Sequence, residues 1–175
     1  MRNQIIVIAG ASSGFGKGTA LELARQGATV VLAARQEEVL SDLVIECEAA
    51  GGRALAVPAD VSSAGEVENL TRTTLERFGK IDVWINDAGV GALGRFTDIP
   101  LADHEQVIEA NLLGTLYGSY FAMKQFRKQN TGILINIAAA LGHMPMPHYS
   151  SYVASKHGVV GLDTALRQEL AEDKI

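Results

Sequence analysis

Two residues in the last quarter of the chain have the types and spacing for proton transfer. Tyr152 and Lys156 lie in Ser151-Tyr-Val-Ala-Ser-Lys156, one helical turn apart, and so share a face of any helix formed there. A free phenol titrates at about pH 10, and a neighbouring ammonium favours the phenolate and lowers that value. Tyr152 then becomes a general acid for reducing a carbonyl, or a base for oxidising an alcohol. The same spacing also describes an ordinary surface Tyr–Lys pair. At the other end of the chain, Gly10-Ala-Ser12-Ser13-Gly14-Phe15-Gly16 follows the apolar run Ile5–Ala9 and opens a segment with helical periodicity. Glycines so closely spaced permit positive φ and a close approach to the main chain. The unpartnered N–H groups and dipole of the following helix favour an anion such as a pyrophosphate. Taken alone, the glycines equally serve a plain strand-to-helix turn.

The elements that would position these groups are legible as apolar, β-branched runs alternating with longer amphipathic segments, the pattern of a parallel sheet covered by helices on both faces. Strands are predicted at Ile5–Ala9, Thr29–Ala33, Ala54–Pro58, Ile81–Asn86 and Ile133–Ala138. Helices are predicted at Gly14–Gln26, Gln36–Ala50, Ala64–Phe78, Ala102–Gln129 and Ser150–Glu172, with stops at Gly27, Gly51-Gly52, Gly79 and Gly132. Right-handed crossovers then give a doubly wound α/β sheet of order 3-2-1-4-5, with ligands at the carboxyl ends of the strands near the switch between the first and fourth.

Those strand ends carry the remaining candidates. After the second strand, where a carboxylate would hold a ribose 2′-hydroxyl, stands Ala33-Ala34-Arg35. A guanidinium pairs bidentately with phosphate, so NADP(H) is favoured over NAD(H), and Lys17 adds positive charge nearby. Arg35 and Lys17 also read as solvated residues, offset by Glu37 and Glu38. Asp60-Val61 follows the third strand, and Asn86-Asp87-Ala88-Gly89 follows the fourth. Asp60 is placed to accept from an adenine amino group, although Asp60 with Ser62 and Ser63 also has the form of a helix-capping turn. Asn86 to Gly89 serves as a turn or as part of the site.

Size and composition set the frame. The 175 residues, 47% hydrophobic and 20% charged, suffice for a single domain over 1–175, with no linker or repeat. A net charge of −5 argues against a nucleic-acid surface. No apolar run approaches the roughly 18 residues of a membrane span, and the N-terminus lacks a leader pattern. One cysteine, Cys47, reads as a packing residue in a reducing, cytoplasmic compartment. No metal-ligand set is called for.

Taken together, Gly10-x-x-x-Gly14-x-Gly16, Asp60, Asn86-Asp-Ala-Gly89, Asn111 and Tyr152-x-x-x-Lys156, in this order and spacing, resemble the short-chain dehydrogenase/reductase family over essentially the whole chain. The resemblance implies a Rossmann-type fold and hydride transfer between a nicotinamide and a carbonyl or alcohol carbon. It implies Tyr152 as acid/base, Lys156 holding the nicotinamide ribose and tuning Tyr152, and Asn111 positioning a water in a proton relay. Cofactor contacts are expected from Gly10, Ser12, Ser13, Gly14, Phe15, Gly16, Arg35, Asp60, Val61, Asn86, Ala88, Gly89, Tyr152 and Lys156.

Two departures bear on activity. The family's substrate-binding serine, thirteen residues before the tyrosine, is here Ala139, between Ala138 and Ala140. Losing one oxyanion-type donor costs about 2.7–4 kcal/mol. His143 and His148 are candidates for a substitute donor; Ser150 and Ser151 look more like caps. Family members also continue beyond the tyrosine helix into further strands, so the sheet is expected to be incomplete at its C-terminal side. The expected function is an NADP(H)-preferring oxidoreductase acting on a small carbonyl or alcohol compound, NAD being possible; the alternative is a catalytically silent nucleotide-binding relative. Similar proteins pair through the helices after the fourth and fifth strands, so a homodimer or homotetramer is expected, with Leu112, Leu116, Tyr120 and Phe121 partly between subunits.

Overall fold

Strand formation follows burial on both faces. In the computed structural model, which describes residues 1–173, β1 (Ile5–Ala9), β2 (Thr29–Ala34) and β4 (Val83–Asn86) are buried along their whole length. This is why they read as continuous rather than alternating apolar runs. With β3 (Arg53–Pro58) and β5 (Ile133–Asn136) they form one parallel sheet of order β3-β2-β1-β4-β5. Val7 at its centre pairs with Val31 on one side and Trp84 on the other.

The pleat divides the core into two layers. Ile6, Ile8, Val30 and Leu32 point toward α1 (Gly14–Arg25) and α2 (Glu37–Ala49), where they meet Ala20, Ala24, Leu40, Leu43 and Cys47. Cys47 is fully buried, and burial raises its thiol to about 11, so it packs rather than reacts. On the opposite face Val7, Val31 and Trp84 meet Val67 and Leu70 of α3 (Ala64–Phe78), and Ala122 and Phe126 of α5 (Gly114–Gln129). The last helix, α6 (Ser150–Asp173), packs against α4 (Leu101–Ile108). At the β5 edge Ile133 and Ile135 remain 52% and 39% exposed.

The long helix expected from Ala102 is not continuous. A single π-helical turn, Glu109–Leu113, separates α4 from α5 and places the fully buried Asn111 within it. Such turns change the phase of a helix and recur at functional sites. β4 begins two residues later than expected, because Asp82 joins Ile5 through its side chain as well as its amide. β5 is shorter than its apolar run: Ile137 makes one last bond to the Asn86 carbonyl before a short 3₁₀ turn at Ala140–Gly142.

Candidate active site

The carboxyl ends of the strands border a cleft of about 830 Å³ at the point where the order reverses between β1 and β4. It runs from the glycine turn, past Arg35 and Asp60, to Tyr152 and Lys156. Residues from opposite ends of the chain share it because β1 and α6 both deliver their termini to this edge.

The glycine turn is shaped for close approach. Gly10 has φ +106°, and a Cβ there would lie 2.4 Å from the amide nitrogen of Ala88. Gly16 is enclosed between α1 and β1, where a Cβ would meet the Gly10 carbonyl oxygen at 2.3 Å. It therefore sets the approach of helix to strand and does not line the cleft, whereas Gly10, Ser12, Ser13, Gly14 and Phe15 do. Ser13 occupies the N-cap position without a capping hydrogen bond from its side chain. The start of α1 thus faces the cleft without a cap from the Ser13 side chain; Asp87 reaches the Gly16 amide, and with no acidic residue within the first turn the other amides there fit a dinucleotide pyrophosphate.

Along the middle of the cleft, Arg35 is exposed at the end of β2 and lines the wall with Gln36. Lys17 does not reinforce it: its ammonium pairs at 2.8 Å with Glu46 of α2. The turn expected at Asp60 forms. Asp60 Oδ1 accepts from the Ser62 amide at 2.9 Å and hydroxyl at 2.7 Å, forming the turn before α3, and the residue also lines the cleft beside Val61. Burial pushes the Asp60 carboxyl up, but the two Ser62 hydrogen bonds, with the Arg35 charge behind them, leave it below the usual carboxylate range.

After β4 the expected assignment needs correction. The Asn86 side chain is turned away from the cleft toward α5; its Oδ1 accepts from Trp84 Nε1 and its Nδ2 donates to Asn136, each at 2.8 Å. Asn86 therefore ties β4 to β5. The next residue, Asp87, lines the cleft in its place, with Ala88 and Gly89. Desolvation raises the Asp87 carboxyl, against the opposing pull of the Gly16 amide and the Lys156 charge.

At the far end, Lys156 Nζ donates to the Ile137 carbonyl at 2.8 Å and lies 5.9 Å from the centroid of the Tyr152 ring. Burial lowers its ammonium below the usual value and the Asp87 carboxylate works against that. The Asn111 side chain clamps Val90, accepting from its amide at 2.8 Å and donating to its carbonyl at 2.9 Å, and donates to Ser155 Oγ at 3.0 Å. Both Asn111 N–H bonds are thereby engaged. Ala138 and Ala139 line the cleft next to Tyr152 and offer no hydroxyl. His143 and His148 are exposed, and neither lines it. Gln106 of α4 and Glu109 at the start of the π turn do line it, placed there by the docking of α4 on α6, which no local pattern announces.

The pattern of the short chain dehydrogenase family matches residues 4–175. The chain belongs to this family of oxidoreductases. It is 40% identical over 169 residues to a 3-oxoacyl-[acyl-carrier-protein] reductase of a Synechocystis strain, spanning 96% of this chain and 68% of that protein. To a 3beta-hydroxysteroid dehydrogenase of Mediterraneibacter gnavus it is 36% identical over 169 residues, spanning 96% and 61%. The crystal structure of a levodione reductase superposes with a TM-score of 0.94 at 32% identity, over 99% of this chain and 68% of that one. The chain thus spans about 61–68% of the length of these three short-chain dehydrogenase relatives.

Proposed function

We propose that this chain provides the nucleotide-binding and proton-transfer parts of an NADP(H)-preferring oxidoreductase that interconverts a carbonyl compound and its alcohol. The observation that carries the reading is the convergence of Tyr152 and Lys156 on the same cleft as the glycine turn that opens α1. The dinucleotide, when bound, supplies or takes up the hydride. Gly10 to Phe15 would hold its phosphates, Arg35 would pair with a 2′-phosphate, and Asp60, Val61, Ala88 and Gly89 would line its path to Tyr152. In the reducing direction the Tyr152 hydroxyl gives its proton to the substrate oxygen. Lys156 stabilises the resulting phenolate and would hold the nicotinamide ribose, while Asn111 keeps Val90 and Gly91 against the Tyr152 ring. The 3-oxoacyl and hydroxysteroid substrates named for two relatives support a ketone or secondary alcohol as the reacting group.

A catalytically silent, nucleotide-binding relative is the second reading, favoured by Ala139 at the position where a donor to the substrate oxygen would stand. Among the described residues no helix is long and apolar enough to cross a membrane. The lone, buried Cys47 supports a reducing, cytoplasmic setting.

One assay separates the two readings. NADPH oxidation is measured over a panel of carbonyl compounds for the protein, for Tyr152→Phe and for Ala139→Ser. The enzyme reading expects turnover that disappears in Tyr152→Phe. The silent reading expects NADPH binding without turnover, with activity appearing in Ala139→Ser. In an active protein, Ala139→Ser raises the rate by about 10²–10³ if the alanine is what limits it.

A further inference from the structure

His104 of α4 is a buried, titratable side chain that no part of the proposed reaction uses. It is 7% exposed, and both ring nitrogens are engaged. Nε2 lies 2.9 Å from the Phe96 carbonyl oxygen, which only accepts, so Nε2 carries the proton and donates. Nδ1 lies 3.0 Å from Ser151 Oγ and, in the neutral ring, accepts from that hydroxyl. The imidazole also stacks on the Phe96 ring, with centroids 4.5 Å apart.

These contacts repeat an arrangement found further along the chain, between the π turn and α6. Asn111 grips the main chain at Val90 and donates to Ser155; His104 grips the main chain at Phe96 and binds Ser151. Ser151 and Ser155 are one helical turn apart and bracket Tyr152 on α6. Val90 and Phe96 bracket the segment containing Gly91, whose Cβ position lies 3.7 Å from the Tyr152 ring. Two side chains therefore fasten the wall beside the tyrosine to its helix, in addition to the Gly94 amide, which donates to the His148 carbonyl just before that helix at 3.0 Å. Asn111 is one of them.

We propose that His104 is the other: a positioning residue that locks the Val90–Asp98 segment to the first turn of α6 and, through Ser151, fixes the facing of Tyr152. This rests on the reading of Tyr152 as the proton donor. Misplacement of a reacting group by about 1 Å can cost on the order of 10²-fold in rate. Two engaged nitrogens and an aromatic stack suit a device that removes such play.

The test compares His104→Phe, which keeps the stack and removes both hydrogen bonds, with Ser151→Ala, which removes one. The expected result is a fall in kcat of roughly tenfold to hundredfold in folded His104→Phe. NADPH affinity stays within about twofold of the starting protein, since the variants lie away from the phosphate-binding turn. Ser151→Ala moves kcat in the same direction, and the double variant is no worse than His104→Phe alone, the signature of two groups acting through one contact. An unchanged kcat in folded His104→Phe, or additive losses in the double variant, overturns the proposal.

Amide hydrogen exchange on cofactor-free protein gives a readout independent of turnover. Residues 90–98 and 150–153 are expected to exchange faster in both variants, and unaltered exchange also overturns the proposal. If the starting protein reduces no carbonyl compound, the proposed function fails while the exchange measurement still decides the fastening. If His104→Phe does not fold, Ser151→Ala carries both measurements.

Discussion

Asp87 places a carboxylate in a cleft suited to phosphates, and its consequences can be worked out from one side chain. Because burial raises its pKa above the ordinary value of 3.8, the folded state binds a proton more readily than the unfolded chain. Asp87 therefore costs stability increasingly as pH rises from 3.8 through its folded pKa, and the protonated form no longer repels an anionic ligand. NADPH binding, followed by calorimetry, is expected to tighten as pH falls through that range. Asp87→Asn is expected to remove the dependence and to tighten binding at neutral pH by about 1 kcal/mol, roughly fivefold in Kd. Arg35 gives a complementary prediction. If it pairs with a 2′-phosphate, Arg35→Ala weakens NADPH binding by about 1.5–3 kcal/mol and leaves NADH binding nearly unchanged, as parallel titrations would show.

Among the elements, α5 shows how helix approach depends on one missing side chain. It crosses β4 at Gly118, where a Cβ would lie 2.1 Å from Asn86 Oδ1 and 2.7 Å from Trp84 Nε1. Both atoms belong to the buried hydrogen bond that joins β4 internally, so neither yields without loss. Gly118→Ala is expected to cost about 1–3 kcal/mol, seen as a fall in Tm of roughly 2–12 °C on thermal denaturation. The same helix receives the Asn86 side chain. Asn86 stands at a strand end, as ligand-binding residues do, but the even-odd pleat turns it toward α5 and presents Asp87 to the cleft instead.

For the whole molecule, the self-association expected from the family resemblance would rest on what α5 leaves outside. Of the four side chains expected between subunits, Leu112 packs toward Gly158 of α6 and Phe121 packs against the core, while Leu116 and Tyr120 are 40% and 59% exposed. Leu116 and Tyr120 lie one turn apart and form an apolar stripe. Sedimentation at micromolar concentration is expected to show a dimer or tetramer, and Leu116→Arg to shift it toward monomer. A monomer before substitution removes the prediction.

What the sequence by itself determined is whatever short-range pattern dictates. Buried runs had to be central parallel strands, the glycine turn had to join a strand to a helix, and a tyrosine and lysine four apart had to share a face. Strand order followed as well, because right-handed crossovers leave few topologies. The tertiary structure alone decided which way side chains at element ends face and which distant groups meet. Successive residues at a strand end face opposite ways, which turns the Asn86 side chain toward α5 and leaves Asp87 on the cleft. A single π turn resets the phase between α4 and α5, which no apolar periodicity announces. The pairing of His104 with Ser151 and Phe96 joins residues 47 and 8 positions apart, and only the packing of α4 on α6 brings them within hydrogen-bond reach.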